Sequence, residues 1–390
     1  MQRGRLTRKV VLSLALLAGG FVLTNFRLVA RYSTYPHRTP ATSIGWYEPK
    51  EAVRGRPGRA IPAAPESPIR KDALEKSVAW VEARNPSAFL VMKDGRIVLE
   101  RYYGGFGAQS LSNTMSMAKG ILALAVGIAI GEGRITSEDD AVAAYLPEWA
   151  DDARGRISIG HLLQMTSGLV FDDNMVNPFS DVAQLHAGAD DVDRYALATR
   201  LGDPPGGTFR YTNVNAQILS LVLERATGRR YADYLSEKLW QPLGASDAAL
   251  WLDRPGGRPR TYCCLFATAR DWLRVAQLML DRGQVDGRTV VPARWIDKMT
   301  TSSPREPEYG YGLWLGYPAA GRLPGNDWAI PSTVRDMYYF SGQGKERMYI
   351  TPSKGLVVVR LGEDVPTARW DEAYLTDTLV RGIDENGGAS

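Results

Sequence analysis

The chain has 390 residues, of which 44% are hydrophobic and 23% charged. It is therefore long enough for one large domain with a subdomain, or for two domains. This composition excludes a wholly disordered chain, a collagen-like chain and a membrane protein with many spans. The net charge of +4 is uneven, because residues 1–60 hold eleven basic and two acidic side chains, a net of +9. The remaining 330 residues sum to −5, and this acidic body argues against nucleic-acid binding.

Residues 1–30 are typical of a membrane-targeting segment. Four basic residues within the first nine precede an uncharged run of seventeen residues at 10–26, and Arg27 closes it. This length is at the short end of membrane-spanning helices and above the usual apolar region of a signal peptide. We expect an uncleaved signal anchor, with a cleaved signal peptide as the alternative. The body is then expected outside the cytoplasm, in a bacterial periplasm or the extracellular space.

The next elements are predicted in chain order. Residues 31–70 are rich in Pro and Arg and predict an extended linker. The pattern predicts a helix from Asp72 and then a hairpin around the Asp-Gly turn at 94–95. Helices are predicted at 116–132, 158–166, 215–227, 231–240 and 268–282, separated by Gly and Pro breaks. Strands near 337–361 follow, and a helix at 367–382 closes the chain.

This order predicts an α+β fold, in which an antiparallel β-sheet is flanked by helices and carries an inserted all-helical subdomain. We expect one two-part domain over residues 71–385. Its α/β part covers about 71–115 and 255–385, and the helical insertion covers about 116–254. The cleft between the two parts is the expected place for a functional site.

The histidines and cysteines give no metal signal. Cys263 and Cys264 are neighbours, so they cannot join distant parts of the chain. A pair of buried thiols in a strand is expected, and a disulfide between the two neighbours is the rarer alternative. The three histidines, His37, His161 and His186, are scattered and have no cysteine partners in the sequence, which argues against a zinc site. We predict no metal and no cofactor.

The strongest candidate for chemistry is Ser116-Met-Ala-Lys119, which precedes an apolar run at 120–130. Residues three apart on a helix share a face, so the Ser116 hydroxyl and the Lys119 amine are expected within reach of each other. The first turn of a helix favours negative charge that develops on the serine. Apolar surroundings lower the pKa of a lysine, so a neutral amine can take the serine proton. Alone this pair is a weak signal, since a capping serine beside a solvated lysine has the same pattern.

Tyr211 and Asn213 form a second candidate motif after a Pro-Gly-Gly turn. Two residues apart on a turn, both side chains can point into a cleft. There Tyr211 would relay a proton, and Asn213 would hold Lys119 or a substrate carbonyl. The alternative is a helix cap by Asn213 beside a packed Tyr211.

A third candidate, Phe340-Ser341-Gly342-Gln343, ends a strand-like run. Gly342 lets a substrate approach the backbone closely. The Gln343 N–H would then complete an oxyanion pocket together with the Ser116 N–H. Taken alone, this segment is not specific.

The order and spacing of the three motifs resemble those of the serine β-lactamase and penicillin-binding superfamily. The chain is most similar to the class C branch, which includes carboxylesterases and 6-aminohexanoate-dimer hydrolases. The resemblance covers about residues 70–380, and further segments agree with it: Ile157-Ser-Ile-Gly-His-Leu-Leu-Gln-Met-Thr-Ser-Gly168, Trp240-Gln-Pro-Leu-Gly244, Ala267-Thr-Ala-Arg-Asp271 and Tyr309-Gly-Tyr-Gly312. It implies a β-lactamase/transpeptidase-like fold.

The resemblance also implies a serine hydrolase that forms an acyl-enzyme. Ser116 would be the nucleophile, Lys119 its base and Tyr211 the proton relay, and water would hydrolyse the acyl-enzyme. The expected substrate is a small ester or linear amide. The alternatives are a non-catalytic sensor or binder of cell-wall peptides, a weak β-lactamase and a D-amino peptidase. The sequence does not indicate the acyl group, the leaving group or the oligomeric state.

One departure from the family pattern and one group of acidic residues concern the substrate. Where β-lactamases carry Lys-Thr-Gly, this chain has Phe340-Ser341-Gly342. The cation that would pair with a β-lactam carboxylate is missing, so we expect poor antibiotic hydrolysis and an apolar cleft wall formed by Phe340. The acids of the segment after Gly168, namely Asp172, Asp173 and Asp181, are candidates for binding a substrate amine. A solvated loop is the favoured interpretation of these acids.

Overall fold

The computed structural model describes residues 26–316 and 334–384. The predicted membrane-targeting run therefore lies, except for its last residue, outside the described residues. Within the described ranges, no helix combines the length and the apolar character needed to cross a membrane.

The described residues contain short and medium helices alternating with short strands. The strands are β1 (Lys50–Val53), β2 (Pro86–Lys93), β3 (Arg96–Tyr102), β4 (Leu111–Asn113), β5 (Ala248–Trp251), β6 (Leu265–Thr268), β7 (Gln284–Val285), β8 (Arg288–Thr289), β9 (Trp314–Leu315), β10 (Tyr338–Gly342), β11 (Glu346–Thr351) and β12 (Leu356–Gly362). The helices are α1 (Phe26–Thr34), α2 (Lys71–Glu82), α3 (Ala118–Gly131), α4 (Ile159–Leu163), α5 (Asp181–Ala183), α6 (Val192–Leu197), α7 (Asn213–Thr227), α8 (Tyr231–Leu235), α9 (Ala269–Leu280), α10 (Ala293–Met299) and α11 (Tyr374–Asp384).

The larger sheet has six antiparallel strands in the order β3-β2-β12-β11-β10-β9. Side chains alternate across its two faces, as the period of a strand requires. Phe89 and Val91 pack in the same cluster as Leu375 and Leu379 of α11, while Leu90 and its alternating neighbours join the main core. The terminal helices α2 and α11 therefore cover one face, and α9 and the rest of the core cover the other.

The hairpin of β2 and β3 turns where the sequence predicted it. Asp94 and Gly95 both have positive φ, at 49° and 71°. This is the conformation of a two-residue turn that matches the twist of the flanking strands. Leu356 pairs with Lys93, so β12 lies beside β2 although the two strands are far apart in sequence.

A smaller sheet of four strands, in the order β1-β5-β6-β4, lies in the same fold. Its β1 belongs to the segment at 31–70 that the composition predicted to be an extended linker. Here the structure differs from the expectation, because Tyr47 and Val53 are fully buried and Lys50 pairs with Trp251. Apolar residues among the prolines and arginines explain this, since they pack into the core and carry the segment with them.

The helices α3 to α8 lie between β4 and β5, as an insertion into the smaller sheet. The structure confirms the predicted α+β class with an antiparallel sheet. Two boundaries differ from the prediction. The strand β5 falls inside the range 116–254 that was expected to be helical, and the last helix begins at Tyr374 rather than at 367.

Helix α3 runs through the centre of the core, and its residues 118–129 are all buried. Its glycines allow neighbours to approach the helix axis. A Cβ atom added to Gly120 would lie 2.0 Å from a ring carbon of Phe340, and one added to Gly127 would lie 2.0 Å from the Trp295 ring. The Trp295 indole also donates a hydrogen bond to the Ala123 carbonyl at 2.9 Å. These contacts fix the helix that follows Ser116.

We therefore predict that Gly127→Ala destabilises the protein by about 1–3 kcal/mol, because the added methyl group displaces a packed Trp295 ring. The free energy of unfolding in urea measures this effect. Gly45→Ala is the matched control, since a Cβ atom there meets nothing within 4 Å, and its change should stay within about 0.5 kcal/mol. Equal stability of the two variants would contradict the packing argument.

Candidate active site

Ser116 lies in the tight turn Met115–Met117, between β4 and α3. The preceding Met115 has a φ of 50°, a left-handed conformation that is uncommon for a residue with a side chain. The Asn113 side chain holds this turn, because its Oδ1 accepts the Met115 N–H at 3.2 Å. Ser116 is therefore presented on a fixed turn at the start of a buried helix.

Lys119 is the centre of the site, and its side chain is 3% exposed. Its Nζ lies 2.9 Å from Ser116 Oγ and 2.9 Å from Asn213 Oδ1. It lies 2.7 Å from the Tyr262 carbonyl oxygen. Burial lowers the pKa of Lys119 from its usual value to about 7, because a charged amine loses its hydration in the core. A neutral amine is therefore accessible near neutral pH.

The geometry around Nζ orients its lone pair. Both amide-type oxygens, Asn213 Oδ1 and the Tyr262 carbonyl, accept hydrogen bonds and do not donate them. In the neutral form they take the two N–H groups of the amine. The third neighbour is the Ser116 hydroxyl, which accepts from the charged amine at 2.9 Å. Once Lys119 is neutral, its lone pair is left free for the proton of that hydroxyl.

Tyr211 lies beside Lys119 and Ser116. Lys119 Nζ is 4.9 Å from the centre of its ring. Burial raises the pKa of Tyr211 to about 12, although its hydrogen bond with Ser116 lowers the pKa in part. The phenol is therefore protonated at neutral pH and can donate. Its ring stacks on Trp314 with the centroids 6.0 Å apart and an interplanar angle of 26°.

The residues before α7 bring Tyr211 and Asn213 to the site. The Arg210 N–H donates to the Met165 carbonyl at 2.8 Å, which fixes the loop just before Tyr211. Asn213 is the first residue of α7, and no side chain caps the helix at Thr212. Of the two interpretations of Asn213, the structure favours the contact with Lys119 over the helix cap.

The end of β10 lies against the Ser116 turn. A Cβ atom added to Gly342 would lie 2.4 Å from the Thr114 carbonyl oxygen, so no larger residue fits there. Ser341 is half-buried and Gln343 is exposed in the turn that follows the strand. The structure thus brings the predicted segment 341–343 beside the turn Met115–Met117 that contains Ser116.

Phe340 does not form a cleft wall, contrary to the prediction. It is fully buried, and its ring packs on Gly120 and lies 6.2 Å from the Trp272 ring. Alternation along β10 explains the difference, since Phe340 and Ser341 point to opposite faces of the sheet. The aromatic surface beside Ser116 comes instead from Tyr211 and Trp314.

The acids after Gly168 agree with the solvated-loop interpretation. Asp172 and Asp173 are exposed. Asp181 has structural partners, because its carboxylate accepts the Tyr195 hydroxyl at 2.7 Å and the Asp172 N–H at 2.8 Å. His161 is also structural, since its Nδ1 accepts the Ser158 N–H at the start of α4.

Cys263 and Cys264 form a disulfide, so the prediction of two free thiols is wrong. Both residues are buried, and their side chains meet because Cys264 adopts a φ of 68°. A nitrogen of the His186 ring lies within 4.8 Å of both sulfur atoms, a proximity that the scattered histidines did not predict. Sulfur atoms joined in a disulfide are not the thiolates that bind metals.

Sequence reasoning missed three contributors to the site. The Tyr262 carbonyl has no residue-type signal, because any residue supplies a carbonyl. Trp314 follows the Tyr309-Gly-Tyr-Gly312 segment closely, and that proximity was an available signal. Arg347 is a basic residue within a strand pattern; it donates to the Gly342 carbonyl at 3.0 Å and pairs with Glu372 in the core.

A surface cavity with a volume of about 810 Å³ is elsewhere, and its lining includes Ile128 and Gly131 at the carboxyl end of α3. Ser116 precedes the amino end of the same helix, which is about 21 Å long at 1.5 Å per residue. We therefore do not assign this cavity to the site.

Comparisons with known proteins agree with this geometry. The family described as Beta-lactamase matches residues 74–378. A 6-aminohexanoate-dimer hydrolase of Paenarthrobacter ureafaciens is 30% identical over 357 residues, which cover 86% of this chain and 88% of that protein.

Solved structures share the fold. A family VIII carboxylesterase superimposes with a TM-score of 0.62 at 18% identity and covers 85% of this chain and 100% of its own. The octameric penicillin-binding protein homologue of Pyrococcus abyssi gives a TM-score of 0.59 at 21% identity, with coverage of 80% and 77%. The fold and the relatives define a hydrolase of the serine β-lactamase and penicillin-binding class. The chain belongs to the Beta-lactamase family.

The pKa of Lys119 predicts how activity depends on pH. Only the neutral amine accepts the serine proton, so kcat/KM should rise with pH through an apparent pKa of about 7. Initial ester hydrolysis rates measured from about pH 5 to about pH 9 test this. Lys119→Arg is the control, since a guanidinium stays charged and should be inactive at each pH. If kcat/KM rose instead through an apparent pKa of about 10, as for a solvated lysine, the assignment of Lys119 as the base would be contradicted.

Proposed function

We propose that this protein is an acyl-enzyme serine hydrolase in which Ser116 is the nucleophile, Lys119 the base and Tyr211 the proton relay. One observation carries the proposal. The buried Lys119 amine has two acceptor oxygens and one hydroxyl around it, at 2.7–2.9 Å. This arrangement aims a base at the Ser116 hydroxyl, which a structural lysine does not need.

In the first step, Ser116 Oγ attacks the substrate carbonyl carbon and Lys119 takes its proton. A bond forms between Oγ and carbon, and the carbonyl oxygen becomes an oxyanion. The N–H groups of Ser116 and Gln343 are the candidates to stabilise that charge. When the bond to the leaving group breaks, the leaving oxygen or nitrogen takes a proton through Tyr211. In the second step the oxygen of a water molecule bonds to the acyl carbon and the bond from that carbon to Ser116 Oγ breaks. One proton of the water returns to Ser116, and the carboxylic acid leaves.

The proposed substrate is an ester or a linear amide with no carboxylate next to the bond that is cleaved. The cation that contacts Gly342 is Arg347, and it is buried and paired with Glu372, so it does not bind a substrate carboxylate. The half-buried Trp314 and Tyr211 offer an aromatic surface beside Ser116. The names of the relatives, a 6-aminohexanoate-dimer hydrolase and a carboxylesterase, support the same substrate class.

A substrate panel tests this proposal. We expect purified protein to hydrolyse short p-nitrophenyl esters, to cleave linear amides of 6-aminohexanoate more slowly, and to act poorly on nitrocefin. Amides are slower because their leaving group is worse and depends more on protonation by Tyr211. Rates are measured with each substrate for the wild type and for Ser116→Ala. If nitrocefin were the fastest substrate, the proposal that the protein acts on esters and linear amides would be contradicted.

Two controls separate catalysis from binding. A fluorophosphonate probe should label the wild type and not Ser116→Ala. Lys119→Ala should lose at least tenfold in kcat/KM, about 1.4 kcal/mol in barrier, because the base is lost. A folded wild type that neither reacts with the probe nor hydrolyses any ester would favour the non-catalytic alternative, a sensor or a binder of cell-wall peptides.

We also propose that the body lies outside the cytoplasm, held at the membrane by residues 1–30. The basic and apolar pattern of that segment supports this, as does the Cys263–Cys264 disulfide, which is typical of oxidising compartments. Phe26 and Val176 are exposed apolar side chains, at 63% and 85%, and Tyr32 of α1 donates a hydrogen bond to the Val176 carbonyl at 3.3 Å. Recovery of the full-length protein in the soluble cytoplasmic fraction would contradict this placement.

A further inference from the structure

The segment 262–265 contacts the residues that flank Ser116 in the sequence at two points. At one end, the Tyr262 carbonyl accepts from Lys119 Nζ at 2.7 Å. At the other end, the Leu265 carbonyl accepts from Thr114 Oγ1 at 2.9 Å and from the Thr114 N–H at 3.3 Å. Thr114 and Lys119 lie on the two sides of Ser116 in the sequence. The segment therefore holds both ends of the turn that presents the serine.

The Cys263–Cys264 disulfide lies between these two carbonyls. A disulfide between neighbours closes a small ring that contains the peptide bond joining them. The ring restricts the backbone torsions of both residues, including Cys264, whose φ of 68° places it in the left-handed region. Without the ring, a residue with a side chain leaves that region readily. Leu265 is held in β6 by its pairing with Leu250, so the direction of the Tyr262 carbonyl relative to that strand depends on these torsions.

A general stabilising role does not explain this disulfide. Disulfides stabilise a fold chiefly by closing long loops of the unfolded chain, and two adjacent residues close no such loop. The body already has a large continuous core. What the bond changes is local geometry, at the place where the backbone contacts Lys119.

Other contacts hold the same segment, but none of them fixes the peptide between the two cysteines. The Trp251 N–H donates to the Cys264 carbonyl at 3.2 Å, and the Cys263 N–H donates to the Arg260 carbonyl at 3.3 Å. The Tyr262 hydroxyl donates to the Leu185 carbonyl at 3.0 Å. These bonds attach the segment to its neighbours, and the disulfide sets its internal shape.

We propose that the Cys263–Cys264 disulfide is a positioning element of the active site, which fixes the backbone through which the Tyr262 carbonyl directs the Lys119 amine at Ser116. This inference rests on the proposed function, since it assigns a role in aiming the base. If the carbonyl turns away, the amine loses one of two acceptors and its lone pair no longer points at one hydroxyl. The cysteines touch neither substrate nor serine, so they act through Lys119.

Within residues 26–316 and 334–384, the groups placed around the Lys119 amine are the Ser116 hydroxyl, the Asn213 amide, the Tyr262 carbonyl and the Tyr211 ring. The charge of Arg347 acts on Tyr211. Changes at Cys263 and Cys264 leave all of these side chains in the sequence, so a change in the pH profile reports a change in their arrangement.

The test is the double variant Cys263→Ser/Cys264→Ser, compared with the wild type on its fastest p-nitrophenyl ester. We expect kcat to fall about tenfold or more while KM changes less than about twofold. We also expect the acid limb of kcat/KM to move by about half a pH unit or more, because the surroundings of the Lys119 amine change. A merely structural disulfide would lower Tm and leave the acid limb in place, and that result would overturn the proposal.

Thr261→Val is the matched control. Thr261 is buried directly before the segment 262–265, and its hydroxyl bonds Ala216 and Ser220 of α7. This variant should lower Tm and leave the acid limb unmoved.

If the double variant does not fold, the native wild type is reduced instead with a phosphine, which supplies two electrons while water supplies two protons for the two thiols. Full activity of the reduced enzyme, with both thiols counted by alkylation and mass, would overturn the proposal.

The two proposals fail in different ways. If the proposed function is wrong, the wild type itself neither hydrolyses esters nor reacts with the fluorophosphonate probe. If only the role of the disulfide is wrong, the wild type is active and the double variant keeps its pH profile and its kcat.

Discussion

The site depends on one constraint, the burial of a lysine amine whose hydrogen-bond partners in the described part of the chain are all uncharged oxygens. A buried ammonium is costly unless it is paired or loses its proton. Lys119 meets this constraint with a lowered pKa and with two carbonyl-type oxygens that accept its N–H groups. The same burial that destabilises the charged form keeps a neutral amine accessible near neutral pH, within hydrogen-bond distance of the Ser116 hydroxyl.

The amine stays in place because distant parts of the chain converge on it. Asn213 comes from the first turn of α7 and the Tyr262 carbonyl from the segment before β6, and both contact the amine. Close approach requires glycine at several points. Gly312, with a φ of 72°, lies so close to the Lys119 carbonyl that an added Cβ would be 2.7 Å from it. A single cooperative core thus supports both the fold and the base.

The sequence predicts most of this arrangement through pattern and spacing. The Asp94-Gly95 hairpin, the apolar helix after Ser116 and the strands around β11 follow from local periodicity and turn chemistry. Ser116, Lys119, Tyr211 and Asn213 were found as motifs, and the structure brings them together. Phe340 was misplaced because the face of a strand depends on its partners. The Tyr262 carbonyl and the Cys263–Cys264 bond depend on backbone direction, which residue types do not encode.

Some motif segments have structural tasks. Thr268 and Asp271, from the Ala267-Thr-Ala-Arg-Asp271 segment, cap α9 reciprocally. Ser158 and His161 do the same for α4. Such segments resemble those of relatives because they start helices at fixed places, so a shared motif here indicates fold rather than chemistry.

The residues that precede α2, from Ala41 to the end of β1, limit where this chain can be shortened. Glu363 Oε1 accepts the backbone N–H groups of Ala41 and Thr42 at 3.0 and 2.7 Å, and the Ala41 carbonyl accepts from Asn113, whose side chain holds the nucleophile turn. Truncation at the end of the Pro- and Arg-rich stretch would remove these bonds and leave β5 as a bare sheet edge. A shortened form of the protein that keeps these bonds and β1 therefore has to retain Ala41 and the residues that follow it.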